Sequence, residues 1–121
     1  MTRGERNRSI GAYGERVAAQ RLVDGGMVLL DRNWRCEAGE IDLVLRDRGT
    51  LVFCEVKTRS TTAHGHPLEA VNPAKGNRLR RLALRWVEEH GVQPPDLRID
   101  LVGVLLSPRG AAEVEHLRGV G

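Results

Sequence analysis

The sequence predicts an α/β fold, in which helices pack against a mixed β-sheet. Three observations support this fold class. Apolar residues recur at helical spacing in residues 9–24 and 72–90. Two apolar runs in residues 39–57 flank a turn, which is typical of an antiparallel hairpin. The most apolar run, residues 97–106, follows the second helix and suits a buried strand reached by a crossover connection.

The first helix is predicted to begin after the N-cap Ser9 and to end near Asp24, where Gly25-Gly26 stops it. The polar, arginine-rich residues 1–8 are expected to form a mobile arm. Glu15 borders the apolar stripe of this helix, where an ordinary surface carboxylate is the simpler interpretation. The stripe that should face the sheet consists of Ile10, Val17, Ala18 and Leu22.

A strand over residues 27–34 and a polar crossing over residues 35–38 lead into the hairpin. If Arg48-Gly49 is a two-residue loop, Asp47 pairs with Thr50, and this pair fixes the register of both strands. Because side chains alternate along a strand, one face of the first hairpin strand should carry Ile41, Leu43 and Leu45.

This register places two carboxylates, Asp42 and Glu55, directly opposite each other. Opposed residues have Cβ atoms about 4.5–5.5 Å apart, and like charges at that distance destabilise a hairpin. A divalent metal gives a reason for the pair, because Mg²⁺ is held by one or two carboxylates together with substrate phosphate oxygens. The same register places Glu40 opposite Lys57, which favours a cross-strand ion pair. A position for Glu40 beside the metal ligands is the other interpretation.

Asp42, followed on the next strand by Glu55-Val56-Lys57, resembles the D…(D/E)-x-K signature of the PD-(D/E)XK nuclease superfamily. With Gly14-Glu15 and the string Gly39-Glu40-Ile41-Asp42-Leu43-Val44, the pattern is similar to the YraN-like family of small endonuclease-like proteins. That family is distantly similar to archaeal Holliday-junction resolvases. One departure is Ile41, which stands where the name of the superfamily has proline.

The resemblance covers roughly residues 9–106 and implies a restriction-endonuclease-like αβββαβ core. It implies Mg²⁺-dependent hydrolysis of DNA phosphodiester bonds, with Mn²⁺ as a substitute ion and branched or structured DNA among the substrates. The catalytic residues that it implies are Asp42, Glu55, Lys57 and Glu15. The implied metal ligands are Asp42, Glu55 and the backbone carbonyl of Val56.

Residues 58–71 are predicted to form a long loop that faces the substrate, where Arg59 and Ser60 would contact phosphates. His64 and His66 have the spacing of a pair of transition-metal ligands. No cysteine or further histidine lies close in sequence to complete such a site, so a flexible loop is the preferred interpretation.

The second helix should start at Asn72-Pro73 and stop at Gly91. Lys75 extends its inward face at the N-terminal end. Two interpretations of its arginines stay open: a solvated cationic face, or a helix that follows a phosphate backbone. In the second case the nucleic-acid contacts would come from Lys75, Arg78 and Arg81. The predicted buried stripe consists of Leu79, Leu82, Ala83, Trp86, Val87 and His90.

The last predicted strand, Leu97 to Leu106, is apolar except for Asp100, which should lie at the strand start or pair with Arg98 or Arg32. Residues 107–121 form a C-terminal extension. Within it, Glu113 to Leu117 could add an edge strand.

The bulk composition is that of one soluble domain of 121 residues, with 40% hydrophobic and 29% charged residues. No apolar run is long enough for a membrane helix, and no signal segment is recognisable, so a cytoplasmic location is expected. The net charge of +3, with 17 arginines among 19 cationic residues, favours a polyanionic partner. An aromatic content of 3% argues against a single-strand stacking platform, so duplex or branched DNA is the expected partner.

Two other functions remain open at this point. One is a non-catalytic nucleic-acid-binding module that keeps the nuclease fold, and the other is a purely structural or protein-interaction domain. Analogy with resolvases suggests a homodimer. Cys36 and Cys54 lack a C-x-x-C spacing and are expected to be inert thiols.

Overall fold

Five strands and two helices are found in the computed structural model, which describes residues 2–60, Leu68 and residues 73–120. The predicted α/β class and the order αβββαβ are both confirmed, with one further strand at the C-terminal end. The elements are α1 (Arg3–Asp24), β1 (Val28–Cys36), β2 (Gly39–Asp47), β3 (Thr50–Arg59), α2 (Pro73–His90), β4 (Asp96–Leu105) and β5 (Glu113–Leu117).

All strands belong to one sheet with the order β1-β2-β3-β4-β5. β3 and β4 are parallel because α2 carries the chain across the sheet between them, and the other neighbours are antiparallel. The sheet is therefore mixed, as predicted. β3 is its central strand, and β4 on one side of it is buried along most of its length.

The helices cover opposite faces of the sheet, and each face has its own core. The α1 side includes Ala18, Ala19, Leu22, Met27, Leu43, Leu45, Val52, Cys54, Val102 and Val104. The α2 side includes Ile41, Val44, Leu51, Phe53, Leu79, Leu82, Ala83, Trp86, Ile99 and Leu101. Two apolar faces on one sheet explain why β3 and β4 read as nearly continuous apolar runs.

α1 begins earlier than predicted. Its N-cap is Thr2, whose hydroxyl oxygen accepts a hydrogen bond from the Glu5 N–H at 3.1 Å, so the assignment of Ser9 as N-cap is wrong. Residues 3–8, predicted as a mobile arm, form the first turns of the helix. Their polar composition masked a helix that is solvent-exposed over this part. The predicted stop at Gly25-Gly26 is confirmed, and Gly26 has a φ of 108°.

The hairpin turn is confirmed, since Asp47 pairs with Thr50, but the pairing of β2 with β3 runs only as far as Leu43 and Cys54. The predicted opposition of Asp42 to Glu55 is therefore absent from the ladder. β1 is distorted beside this point, where Asn33 adopts a left-handed φ of 52° between two regular pairs with β2. Beyond the pair of Leu43 with Cys54, β2 and β3 separate.

The predicted alternation along β2 is also wrong around Asp42. Ile41 packs on the α2 side, whereas Leu43 and Leu45 pack on the α1 side. Regular alternation would have put all three on one face. The regular alternation of side chains between the two faces of the sheet is therefore interrupted at Asp42, between Ile41 and Leu43.

α2 begins at Pro73 and ends at His90, as predicted, and Gly91 follows with a φ of 63°. Asn72, His64 and His66 lie outside the described residues. Thr58 and Arg59, predicted to open the loop, belong to β3. His90 was predicted to be buried but is exposed, with its ring stacked on Trp86 at 3.9 Å between centroids. Neither described helix is long and apolar enough to cross a membrane.

Candidate active site

A cavity of about 350 Å³ opens where β2 and β3 separate. Because the strands diverge there, residues from both faces of the sheet reach it. The side chains that line it include Glu15 of α1, Glu40 and Asp42 of β2, Glu55 and Lys57 of β3, and Arg78 of α2. The structure thus brings together all four predicted acidic residues and the predicted catalytic lysine.

Asp42 lies at the floor of this cavity with 7% of its surface exposed. Its Oδ2 accepts a hydrogen bond from the Val56 N–H at 2.7 Å, where regular pairing would have placed a backbone carbonyl of β2. Burial raises the pKa of Asp42 to about 7, against the effect of the Val56 N–H. The negative charges of three neighbours add to the rise, from Glu15, Glu40 and Glu55.

Glu15 reaches the cavity because α1 approaches β3 very closely. A Cβ on Gly14 would lie 1.9 Å from the Thr58 Oγ1, so only glycine fits at that contact. Burial raises the pKa of Glu15, and Glu40 adds to the rise. Glu15, whose simpler interpretation was an ordinary surface carboxylate, therefore lies at the same cavity as Glu40, Asp42 and Glu55.

Glu55 is held by two cations from the first turns of α2. Its Oε2 lies 2.8 Å from the Lys75 Nζ, and its Oε1 lies 3.1 Å from the Arg78 guanidinium. The predicted inward position of Lys75 is confirmed. Arg78, for which a solvated and a phosphate-binding interpretation were both open, reaches Glu55 while staying half-exposed, and its position one turn after Lys75 could have indicated this contact.

The predicted ion pair between Glu40 and Lys57 does not form. Glu40 pairs instead with Arg35 at 2.8 Å, since these two residues are partners across β1 and β2. The separation of β2 from β3 removes the opposition on which the prediction rested. Lys57 is exposed at the cavity wall.

The backbone carbonyl of Val56 points toward the same edge of β3 as its N–H, since both groups of one residue face the same neighbouring strand. The N–H is bound to the Asp42 carboxylate. The carbonyl is therefore directed to the Asp42 side of β3, which suits the ligand role implied for it.

The other predicted nucleic-acid contacts do not line the cavity. Arg81 and Ser60 are exposed outside it, and Arg59 is half-buried at the end of β3. The Nε of Arg59 is buried without a hydrogen-bond partner among the described residues. These three residues could contact a ligand only if it extended beyond the cavity.

The acids of this cavity supply part of the coordination shell of a divalent cation. Among the described residues, no three His, Cys, Asp or Glu side chains form a ready-made metal cluster. Two carboxylates and a carbonyl, completed by water and phosphate oxygens, are nevertheless a usual set for Mg²⁺. Within the described part of the chain Asp42 has no cationic partner, although three acids surround it. A cation would offset that uncompensated buried charge.

Asp100, the odd charge in β4, is fully buried but lies outside this cavity. The prediction that it pairs with Arg98 is confirmed at 2.9 Å, and His116 and the Gly119 N–H also bind it. Burial alone would raise the pKa of Asp100. The hydrogen bonds from His116, Arg98 and Gly119 outweigh burial and lower it. Asp100 therefore has a structural role.

Comparison with known proteins identifies a family. Residues 14–104 match the model of the "Uncharacterised protein family UPF0102". A UPF0102 protein of a Nocardioides species is 62% identical over 113 residues, which cover 93% of this chain and 91% of the relative. The UPF0102 protein of Streptomyces griseus is 57% identical, with 93% and 95% covered. That of Leifsonia xyli is 49% identical, with 92% and 94% covered. The chain therefore belongs to the UPF0102 family, the YraN-like family that its motifs resemble.

Proposed function

We propose that this protein is a Mg²⁺-dependent endonuclease that hydrolyses phosphodiester bonds of DNA. One observation carries the proposal. Asp42, Glu55 and Lys57, with Glu15 from a different element, line one cavity at the point where two sheet strands separate. A structural polar face would not need buried carboxylates with a raised pKa, whereas perturbed pKa values cluster at functional sites.

The charge distribution around the cavity supports a phosphate-bearing substrate. The floor is acidic, while Lys57 and Arg78 line its wall and Lys75 contacts Glu55 from α2. Cations at the rim would bind the phosphates of a DNA backbone. The acidic residues at the floor would repel the same phosphates. A metal cation bound to these acids would allow a phosphate to approach them.

Asp42, Glu55 and the Val56 carbonyl would hold that metal. When bound, Mg²⁺ lowers the pKa of a coordinated water and neutralises charge on the phosphate. The Val56 N–H fixes the orientation of the Asp42 carboxylate. Lys57 would hold the attacking water or the scissile phosphate by its ammonium group. The raised pKa of Glu15 makes it a stronger base than an ordinary carboxylate, which suits it to accept a proton.

The test is cleavage of labelled linear, nicked, flapped and four-way DNA in Mg²⁺ or Mn²⁺. We expect the wild type to cut one of these shapes. Glu55→Ala and Lys57→Ala should each lower the rate by about 100-fold or more, because each removes a group that acts on the reacting phosphate. Glu88→Gln, at an exposed position on α2, is the matched control and should cut like the wild type.

A non-catalytic nucleic-acid-binding module is the second candidate, and one contact favours it. Both oxygens of Glu55 are already paired with cations, which is a stable arrangement without a metal. If that function is correct, no shape is cut, and Glu55→Ala leaves DNA binding unchanged in a fluorescence anisotropy titration. Failure to bind DNA even at low salt would exclude both candidates and leave a structural domain.

The oligomeric state remains a proposal from the resolvase analogy. A homodimer would place two such cavities on one DNA molecule, which suits branched substrates. Light scattering of the purified protein, with and without four-way DNA, distinguishes a monomer from a dimer.

A further inference from the structure

The proposed metal site leaves one feature of the described residues unexplained, the pair of cations on Glu55. Each carboxylate oxygen has its own partner, Lys75 on Oε2 at 2.8 Å and Arg78 on Oε1 at 3.1 Å. We propose that Lys75 and Arg78 act as a built-in counterion that competes with the divalent metal for Glu55, and that DNA phosphates remove it. Metal and DNA would then bind cooperatively. This inference rests on the proposed function and specifies how that site is regulated.

The geometry makes the competition direct. Charge-assisted bonds at these distances are the strong class of hydrogen bond, and together they engage both oxygens of the carboxylate. Lys75 and Arg78 also carry the same sign of charge as the metal and would repel it at close range. A metal can use Glu55 as a ligand only after at least one of the two cations moves away.

Asp42 alone offers a much weaker site. It is buried and has no cationic partner within the described residues, so a metal would displace no cation from it. The second carboxylate ligand of the metal would be Glu55, which is paired with Lys75 and Arg78. The free protein should therefore bind Mg²⁺ or Mn²⁺ poorly, although both acidic ligands are present in the cavity.

DNA supplies the competing anion. Lys75 and Arg78 belong to the helix that covers this face, and their long side chains can swing from a carboxylate to a nearby phosphate. The Arg78 side chain is 53% exposed, so it is accessible to such a partner. A guanidinium binds phosphate in the same forked geometry as carboxylate, which makes the exchange a replacement of one anion by another.

The two binding events are then linked. If DNA raises the affinity for the metal by some factor, the metal must raise the affinity for DNA by the same factor. Coupling between sites is typically about 5- to 150-fold, and two exchanged ion pairs should give about tenfold. Specificity follows as well, because a metal ion would be bound firmly only when nucleic acid is in place.

The first experiment measures Mn²⁺ binding to the free protein by isothermal titration calorimetry. The double variant Lys75→Met/Arg78→Met keeps the side-chain length but removes both charges. We expect it to bind Mn²⁺ about tenfold more tightly than the wild type, because Glu55 is released. Arg80→Met/Arg109→Met removes two exposed arginines and the same total charge, and it should bind like the wild type.

The second experiment measures DNA affinity by fluorescence anisotropy as Mn²⁺ is added. Mn²⁺ should raise the affinity of the wild type for duplex DNA by about tenfold more than that of the double variant, in which only the direct contact between metal and phosphate still links the two binding events. Equal Mn²⁺ affinity in the wild type and the double variant, or weaker binding in the variant, would contradict the counterion role of Lys75 and Arg78. The proposed function would be unaffected by that result. No Mn²⁺ binding by either protein would overturn the proposed function together with this inference.

Discussion

At the scale of one residue, Asp42 lowers the free energy of unfolding of the protein. The side chain is buried among acids, and its pKa rises from an ordinary 3.8 to about 7. A carboxyl whose pKa is higher in the folded state destabilises the fold at every pH above its unfolded value. The penalty grows between pH 3.8 and about 7 and is then complete, at about 4 kcal/mol as an upper bound.

Replacing Asp42 by asparagine should therefore stabilise the protein. Asp42→Asn keeps an oxygen that accepts from the Val56 N–H, and its amide can donate to the neighbouring acids. We expect a gain of about 1–3 kcal/mol at pH 8, which shrinks below pH 7 and vanishes near pH 4. Urea unfolding in the presence of a chelator measures it.

The matched control for this prediction is Asp96→Asn, at the exposed start of β4, which makes the same charge change without burial. Its effect should be within about 0.5 kcal/mol of zero at both pH values. If Asp42→Asn were as neutral as this control at pH 8, the raised pKa of Asp42 would be refuted.

At the scale of the element, α1 is positioned by a single glycine contact. Gly14 lies against Thr58, the residue after Lys57 on β3, and leaves no room for a side chain. That approach carries the next residue, Glu15, to the cavity. The helix therefore combines two tasks at adjacent positions, close packing at one and delivery of an acid at the other.

Gly14→Ala should separate α1 from β3. Its Cβ would lie 1.9 Å from the Thr58 Oγ1, so helix or strand must shift, at a cost of about 1–3 kcal/mol in the free energy of unfolding. Gly11→Ala, one turn earlier, meets nothing within 4 Å and should gain up to about 1 kcal/mol from helix propensity. Thermal unfolding of the two variants distinguishes them, and equal effects would contradict the close approach.

At the scale of the whole molecule, two buried aspartates on either side of β3 have opposite effects on the stability of the fold. The pKa of Asp42 is raised in the folded protein, and the pKa of Asp100 is lowered. Asp42 on β2 lies among acids, whereas Asp100 on β4 is bound by Arg98, His116 and Gly119. Both also act on Cys54 between them. Burial raises the pKa of that thiol, and the two negative charges add to the rise, which agrees with the prediction of an inert cysteine.

Asp100→Asn should lower the free energy of unfolding by about 3 kcal/mol at pH 7, because it leaves Arg98 and His116 without their shared acid. The pKa of Asp100 is lowered in the folded state, so its contribution is present above pH 3.8 and is lost as the pH falls through the lowered value. Wild type and variant should therefore converge in acid. A constant difference down to low pH would show that the loss is one of packing.

Most of the architecture could be predicted from the sequence, because it depends on local signals. Apolar periodicity and the residues at turns and helix ends located both helices, the hairpin and the edge strand β5. The start of α1 was missed, since a solvent-exposed polar helix has no apolar stripe to reveal it. Thr2, its true N-cap, lies one residue from the chain start.

The composition of the candidate site could be predicted, but its geometry could not. The acids were identified from their motif, whereas regular alternation gave the wrong opposition of Asp42 to Glu55. The pairing of β2 with β3 ends at Leu43 and Cys54, and Ile41 and Leu43 pack on opposite faces of the sheet. No period-two pattern contains such information. The partners of Glu40 and Glu55 could not be found within the hairpin, since Arg35 belongs to β1 and Lys75 and Arg78 belong to α2.

The place of α2 after the hairpin in the chain also has a consequence for the order of events during synthesis. Chains emerge from the N-terminal end, so Glu15, Asp42 and Glu55 leave the ribosome before Lys75 and Arg78. A nascent chain that stops short of α2 would hold clustered acids with no neutralising cations from that helix. The cavity is thus completed only when α2 docks, and an N-terminal fragment that ends before α2 lacks Arg78 from its lining.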